Sequence, residues 1–257
     1  EDILTRVRLS REFLEDDETG DVSGIRGASL AKRLDAALCR AIYQEVSIEP
    51  TDLKPYRVLA QWLHVLHAER PSPVEIFTLN YDLLLERAFD SMGTPYFDGF
   101  VGAYEPFFAP EAVDSRGAAE GTYPPRTWTR LWKLHGSLGW RLRPDTGLAS
   151  SRVIRVANAP PSTGEELMIF PSRDKYEESR KTPFLTLQDR LRTFLAEGET
   201  LLLVSGYSFS DQHINQILFD SLRRNPRLAI TCLARSSRPE VLAQAERHRN
   251  FSVYASD

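Results

Sequence analysis

The sequence predicts an α/β fold: a parallel sheet covered by helices on both faces. Three observations lead there. Short apolar, β-branched runs such as 74–79, 200–204 and 228–233 recur along the chain, and a strand apolar throughout is one buried on both faces. Helical patterns alternate with these runs, which is how parallel strands are joined. Three runs end directly in polar turns: Thr78-Leu79-Asn80-Tyr81-Asp82, His135-Gly136-Ser137 and Ser205-Gly206-Tyr207-Ser208. In doubly wound sheets, ligands bind outside the carboxyl ends of the strands. The expected fold is therefore a Rossmann-like parallel sheet with helical and loop insertions, its three turns converging on one crevice.

Taken in order, residues 1–72 read as a helical N-terminal part and 73–257 as the α/β core of a single domain. Glu1-Asp2-Ile3-Leu4 already has the pattern of a helix interior, so the chain is expected to be a fragment of a longer one. The charged, turn-rich residues 15–20 form a loop. Leu30, Leu34, Leu38 and Ile42 then repeat at helical spacing, with charges on the opposite face, and read as a core-packing stripe, the less common alternative being an interface. A second amphipathic helix begins near Pro55, a residue suited to a first helical turn, and carries Leu59, Trp62, Leu63 and Leu66. Past Pro71-Ser72-Pro73, residues 74–79 form a strand, Asn80-Tyr81-Asp82 a turn and 83–89 a helix.

Residues 99–126, rich in Gly, Pro, Ala and aromatics, predict a long covering loop or insertion. Residues 131–134 are a strand ending at His135-Gly136-Ser137. An edge hairpin is expected around 153–156, a strand at 167–170 stopped by Pro171, and a helix at 184–194 with Leu187, Leu191 and Phe194 on one face. Residues 200–204 read as a fully buried strand, 205–210 as a turn, and Asp211 to Leu222 as a helix. A strand at 228–233, a helix at 239–247 and a closing strand at 251–254 complete the chain.

Composition narrows the function. Hydrophobic residues make up 42% and charged residues 26%, as in ordinary globular proteins. The 32 basic and 36 acidic residues leave a net charge of -4, which offers no electrostatic case for direct nucleic-acid binding. No apolar run approaches the roughly 20 residues that span a bilayer. The two cysteines, Cys39 and Cys232, lie far apart in apolar segments. They exclude a disulfide framework and a four-cysteine zinc site, and fit a reducing, cytoplasmic setting. His64 and His67 share a helix face but have no third ligand nearby, so no metal site is expected.

At the third turn, Gly206 permits close backbone approach, Ser208 offers a hydroxyl and Asp211 is suited to cap a helix. A helix N-terminus favours an anion. The segment reads either as a phosphate or ribose cradle or as a plain capped strand-to-helix turn. Gly206-Tyr207-Ser208-Phe209-Ser210 lacks the second glycine of an esterase elbow. His135, with Gly136 leaving room beside it, is either a proton-transfer group or a histidine that merely hydrogen-bonds a loop.

Together the three turns resemble the sirtuin family, from about residue 74 to the end. Thr78-Leu79-Asn80-Tyr81-Asp82 resembles its Thr-x-Asn-x-Asp segment, Lys133-Leu134-His135-Gly136 its catalytic His-Gly, and Leu203-Val204-Ser205-Gly206-Tyr207-Ser208 its Gly-x-Ser cofactor turn. The extended segment from Gly206 to Asn215 is similar to the divergent bacterial branch of anti-phage defence. Two features depart from the family. The zinc ribbon of the protein deacetylases is missing, and Gly24-Ile25-Arg26-Gly27-Ala28 has no preceding buried strand to make it the first glycine-rich phosphate turn.

The resemblance implies NAD⁺ as substrate and no metal. It implies Asn80, His135 and Asp82 as catalytic residues, with Thr78, Gly136, Ser205, Gly206, Ser208 and Asp211 binding the cofactor. Water is then the expected acceptor, giving an NAD⁺ hydrolase. A deacylase or ADP-ribosyltransferase, or an NAD or ADP-ribose sensor without turnover, are the other readings. The branch further implies a homo-oligomer, or a partner such as an ATPase or an Argonaute-like protein.

Overall fold

The computed structural model describes residues 6–7, 10, 13–14, 20–22, 24–47, 50, 52–69, 72–113, 124–143, 152–156, 166–169, 182–234, 242, 245 and 247–255. The chain divides into two compact units, Glu1–Leu187 and Gln188–Asp257. It is a mixed α/β protein with a three-stranded parallel ladder in each unit.

In the first unit, a short antiparallel hairpin, β1 (Asp21–Val22) and β2 (Ile25–Arg26), leads into helix α1 (Gly27–Val46). The helix forms where expected, but its buried line runs through Ala28, Ala31, Asp35, Cys39 and Tyr43. Small residues let this face approach its neighbours closely. The predicted leucine stripe lies one position aside, with Leu30 exposed and Leu38 and Ile42 packing at the edge of the Cys39–Tyr43–Leu138 cluster. Helix α2 (Lys54–Glu69) buries Ala60 and Leu63, while Trp62 and His64 face solvent. Strand β3 (Glu75–Thr78) and helix α3 (Leu84–Met92) follow, and Gly93 closes α3 at φ 62°, a left-handed turn that glycine adopts without strain.

The span 99–126, read from sequence as a covering loop or insertion, is partly sheet, and a further short strand lies just before it. Strands β4 (Tyr96–Phe97), β5 (Phe100–Val101) and β6 (Phe107–Phe108) precede a one-turn helix α4 (Pro110–Val113), and 114–123 lie outside the described residues. Aromatic packing explains the strands: Phe100 sits edge-on to Phe108 at 5.6 Å and beside Trp140 at 5.2 Å. Strand β7 (Thr129–Lys133) runs parallel to both β3 and β4, between them. The chain then forms a strand that sequence reading missed, β8 (Gly136–Arg143). With β9 (Arg152–Arg155), β10 (Glu166–Ile169), β6 and β5, it builds a five-stranded antiparallel sheet in the order β10-β8-β9-β6-β5. The strands of this unit thus do not all belong to the single parallel sheet the sequence predicts.

Helix α5 (Phe184–Ala196) buries Leu187, Leu191 and Leu195, with Phe194 only half-buried. In the second unit, β11 (Thr200–Ser205), β12 (Leu228–Ala234) and β13 (Phe251–Ala255) form a parallel ladder in that order. Helix α6 (Gln212–Arg224) joins the first two and buries Ile214, Ile217, Leu218 and Leu222. Leu228, Ile230 and Cys232 alternate with more exposed neighbours. Strand β11 is not buried on both faces: Leu201 is 65% and Leu203 57% exposed, while Val204 on the other face is buried. Of the predicted helix at 239–247, only Leu242, Ala245 and the turn from Arg247 are among the described residues.

Candidate functional site

Strands β3 and β7 run in register, with Thr78 opposite Lys133. Each chain leaves its strand at that level, so the Asn80–Asp82 turn and the His135–Gly136 turn emerge side by side. Main-chain bonds tie them together: Leu134 N donates to Thr78 O and Leu138 N to Tyr81 O, both at 2.9 Å. His135 and Gly136 are therefore held between two anchored residues, and Asn80 between their two partners.

Each residue of the first turn has a local reason for its place. The Thr78 hydroxyl accepts from Asn80 N at 3.1 Å, bending the chain out of the strand. Asn80 is exposed. Asp82 Oδ1 accepts from Leu84 N at 3.0 Å, satisfying an amide at the start of α3. Tyr81 packs with Leu38, Ile42 and Val46 around the Cys39–Tyr43–Leu138 cluster, so α1 backs both turns. Sequence reading missed Tyr56 on α2, whose phenol is pushed up first by burial and then by the negative charge of Asp82.

In the second turn His135 is half-buried, while Gly136 and Ser137 are buried. Gly136 takes φ 88°, a conformation few other residues tolerate. The Ser137 hydroxyl accepts from Gly139 N at 3.2 Å. Beside this turn pair lies a cavity of about 800 Å³, lined in part by Leu83, Glu86, Tyr96, Ser137, Trp140 and Arg155. Asn80, Asp82 and His135 are not among its lining residues. At its wall Arg155 pairs with Asp98 at 2.5 Å and lies over the Phe100 ring, and Arg143 pairs with Glu105. Burial pushes the Asp98 carboxyl up, and Arg155 partly offsets this.

The second unit holds the third turn. Asp211 caps α6, its Oδ1 accepting from His213 N at 3.0 Å and Ile214 N at 3.2 Å. The Tyr207 hydroxyl lies 3.0 Å from Asp211 O and 2.8 Å from Asn215 Oδ1, while Asn215 Nδ2 donates to Phe209 O at 2.7 Å. This network holds Phe209 at φ 56°, with its ring 4.5 Å from that of Tyr207. The Ser208 and Ser210 hydroxyls pair at 2.8 Å. Ser205, Gly206 and Ser208 are exposed. Gly206 takes φ 67° in open space, so the turn's shape, not crowding, calls for glycine there. Asn215 is the residue sequence reading did not single out. Its type at the fifth position of a helix start gives no hint that its amide closes the preceding turn.

Gly24, at φ 83°, lies in the β1–β2 hairpin rather than after a buried parallel strand. Among the described residues, no group of three or more His, Cys, Asp or Glu is arranged to hold a metal ion, and no helix is long and apolar enough to cross a membrane. A family model described as SIR2-like domain matches residues 74–254, which takes in all three turns. No curated protein matches the chain.

Proposed function

Because the chain belongs to the SIR2-like domain family, whose members use NAD⁺, we propose that it hydrolyses NAD⁺ to nicotinamide and ADP-ribose. The observation that carries this reading is the register of Thr78 with Lys133, which sets the asparagine turn beside the histidine turn. Nicotinamide leaves as a neutral molecule from a pyridinium, so no strong acid is needed. The site must instead stabilise an oxocarbenium-like transition state, as in glycoside cleavage. Asn80 orients water or the nicotinamide ribose, with Asp82 fixing Asn80 or the carboxamide. His135 takes a proton from a ribose hydroxyl or from the water whose oxygen bonds to the ribose carbon as the C–N bond breaks.

Thr78 and Gly136 contribute to binding NAD⁺ through the two turns whose bends they set. In the second unit, Ser205, Gly206 and Ser208 contribute to binding NAD⁺, and Asp211 acts by holding that turn. With two cysteines and no zinc ribbon, water is favoured over an acetyl-lysine acceptor. Similarity of the Gly206 to Asn215 segment to the anti-phage branch supports a role as a defence effector, activated by self-assembly or by a partner protein.

The test is incubation of the full-length protein, together with candidate activators, with NAD⁺ and measurement of nicotinamide, without any acyl-lysine or other protein acceptor. His135→Ala and Asn80→Ala should each abolish release while NAD⁺ still binds. Full turnover by either variant overturns the assignment, and release only when an acyl-lysine peptide is added points to a deacylase. Binding with no turnover in the parent favours a sensor.

A further inference from the structure

Lys133 immediately precedes the histidine turn, and its side chain is only 4% exposed. Its Nζ ion-pairs with Glu86 Oε1 at 3.0 Å and donates to the carbonyl of Asp82. Glu86 stands in the first turn of α3 with its side chain 14% exposed, and its Oε2 has no hydrogen-bond partner among the described residues. One ammonium thus joins β7, which delivers His135, to the end of the asparagine turn and to the helix that follows it.

Stability alone does not account for this arrangement. Burying two charges carries a desolvation penalty that mutual attraction often fails to repay, and a packed apolar pair of similar volume commonly holds a fold as well or better. An apolar pair, though, has no donor for the Asp82 carbonyl. Burial pushes the Glu86 carboxyl up, and Lys133 works against that shift, so the pair is held at a cost to Glu86. The two main-chain ties fix the turns at Thr78 and Tyr81. Lys133 supplies the third, at Asp82.

We infer that Lys133 and Glu86 are positioning residues, a buried brace that sets the Asn80–Asp82 turn against His135 for hydrolysis. The inference rests on the proposed function above. It predicts that the brace can be replaced for folding but not for turnover.

The experiment compares Lys133→Met, Glu86→Gln and the apolar double variant Lys133→Met/Glu86→Leu, each in the full chain. Lys133→Met strands a buried carboxylate and should lose both stability and activity. The double variant should melt at or above the parent temperature, yet its kcat should fall about 100-fold with KM for NAD⁺ little changed, the scale at which an ångström of misplacement is felt. Glu86→Gln keeps volume and an acceptor, and should lower kcat without unfolding the chain. Independently of turnover, amide exchange at Leu138 and Leu84, which donate to Tyr81 O and Asp82 Oδ1, should accelerate in the double variant while that of α5 stays unchanged. Parental kcat in the double variant, or unchanged exchange at these amides, overturns the brace. Full turnover by Asn80→Ala or His135→Ala overturns the proposed function instead, leaving the exchange result to judge the brace by itself.

Discussion

Replacing Asp211 by alanine separates two roles that its position allows: cap of a helix, or ligand for a cofactor. Its Oδ1 accepts from both His213 N and Ile214 N, and the residue is 7% exposed. Alanine leaves two amides without an acceptor where water reaches poorly. Cap removal costs about 0.5–2 kcal/mol, and two bonds, one buried and one part-buried, place this case near 2 kcal/mol, roughly a 30-fold change in the opening equilibrium of the first turn of α6. Asparagine caps about as well as aspartate, so Asp211→Asn should lose only about 0.3–1 kcal/mol of charge–dipole attraction. Hydrogen exchange of the α6 amides measures the opening, and calorimetric titration with NAD⁺ measures binding. The alanine variant should open its helix and weaken binding, whereas the asparagine variant should keep both near parental values. Unchanged exchange at His213 and Ile214 in the alanine variant would refute the cap. An asparagine variant that keeps slow exchange but loses NAD⁺ would show that the charge itself meets the ligand.

Two other substitutions probe the fold around the turns. Gly99 has φ 90°, and a Cβ there would meet Phe108 Cε2 at 2.7 Å, so Gly99→Ala should destabilise the first unit by about 2–4 kcal/mol from overpacking and backbone strain, read as a lowered melting temperature. The Tyr207 phenol is pushed up by burial and then by Asp211. Its proton is held more tightly in the folded chain, so its stabilisation is intact at neutral pH and falls once unfolded tyrosine ionises above about pH 10. Tyr207→Phe should cost about 1 kcal/mol at pH 8 and lose less stability than the parent on going to about pH 11, measured by urea denaturation.

What the sequence disclosed, and what it hid, follows from where the information resides. Strands β3, β7, β11, β12 and β13 each carry a short apolar run, such as Ile76-Phe77 or Leu201–Val204, and Asp211 is a cap residue two and three places before the amides it binds. Such signals are local. Strand β8 was invisible because it carries two glycines, a serine and two arginines, yet Arg141 is fully buried, with its Nη1 donating to the carbonyls of Leu138 and Trp140. A polar residue whose charge is absorbed by nearby main chain reads as loop until the chain is folded. The burial of β11 was overread for the opposite reason. An apolar run reports that a strand tolerates burial, not how many faces are covered, and Leu201 and Leu203 stand open while Val204 packs. The Lys133–Glu86 pair joins positions far apart in sequence, and only the folded turn brings them together.

The ties between the asparagine and histidine turns also differ in what can break them. Leu134 and Leu138 contribute through their amides, so most side-chain changes at these positions leave the bonds to Thr78 O and Tyr81 O intact. The third tie depends on one ammonium and has no main-chain substitute. The first two are a consequence of the register of β3 with β7 and come with the fold. The third is a property of one side chain, so a substitution at Lys133 removes it while the main-chain bonds from Leu134 and Leu138 keep their donors and acceptors.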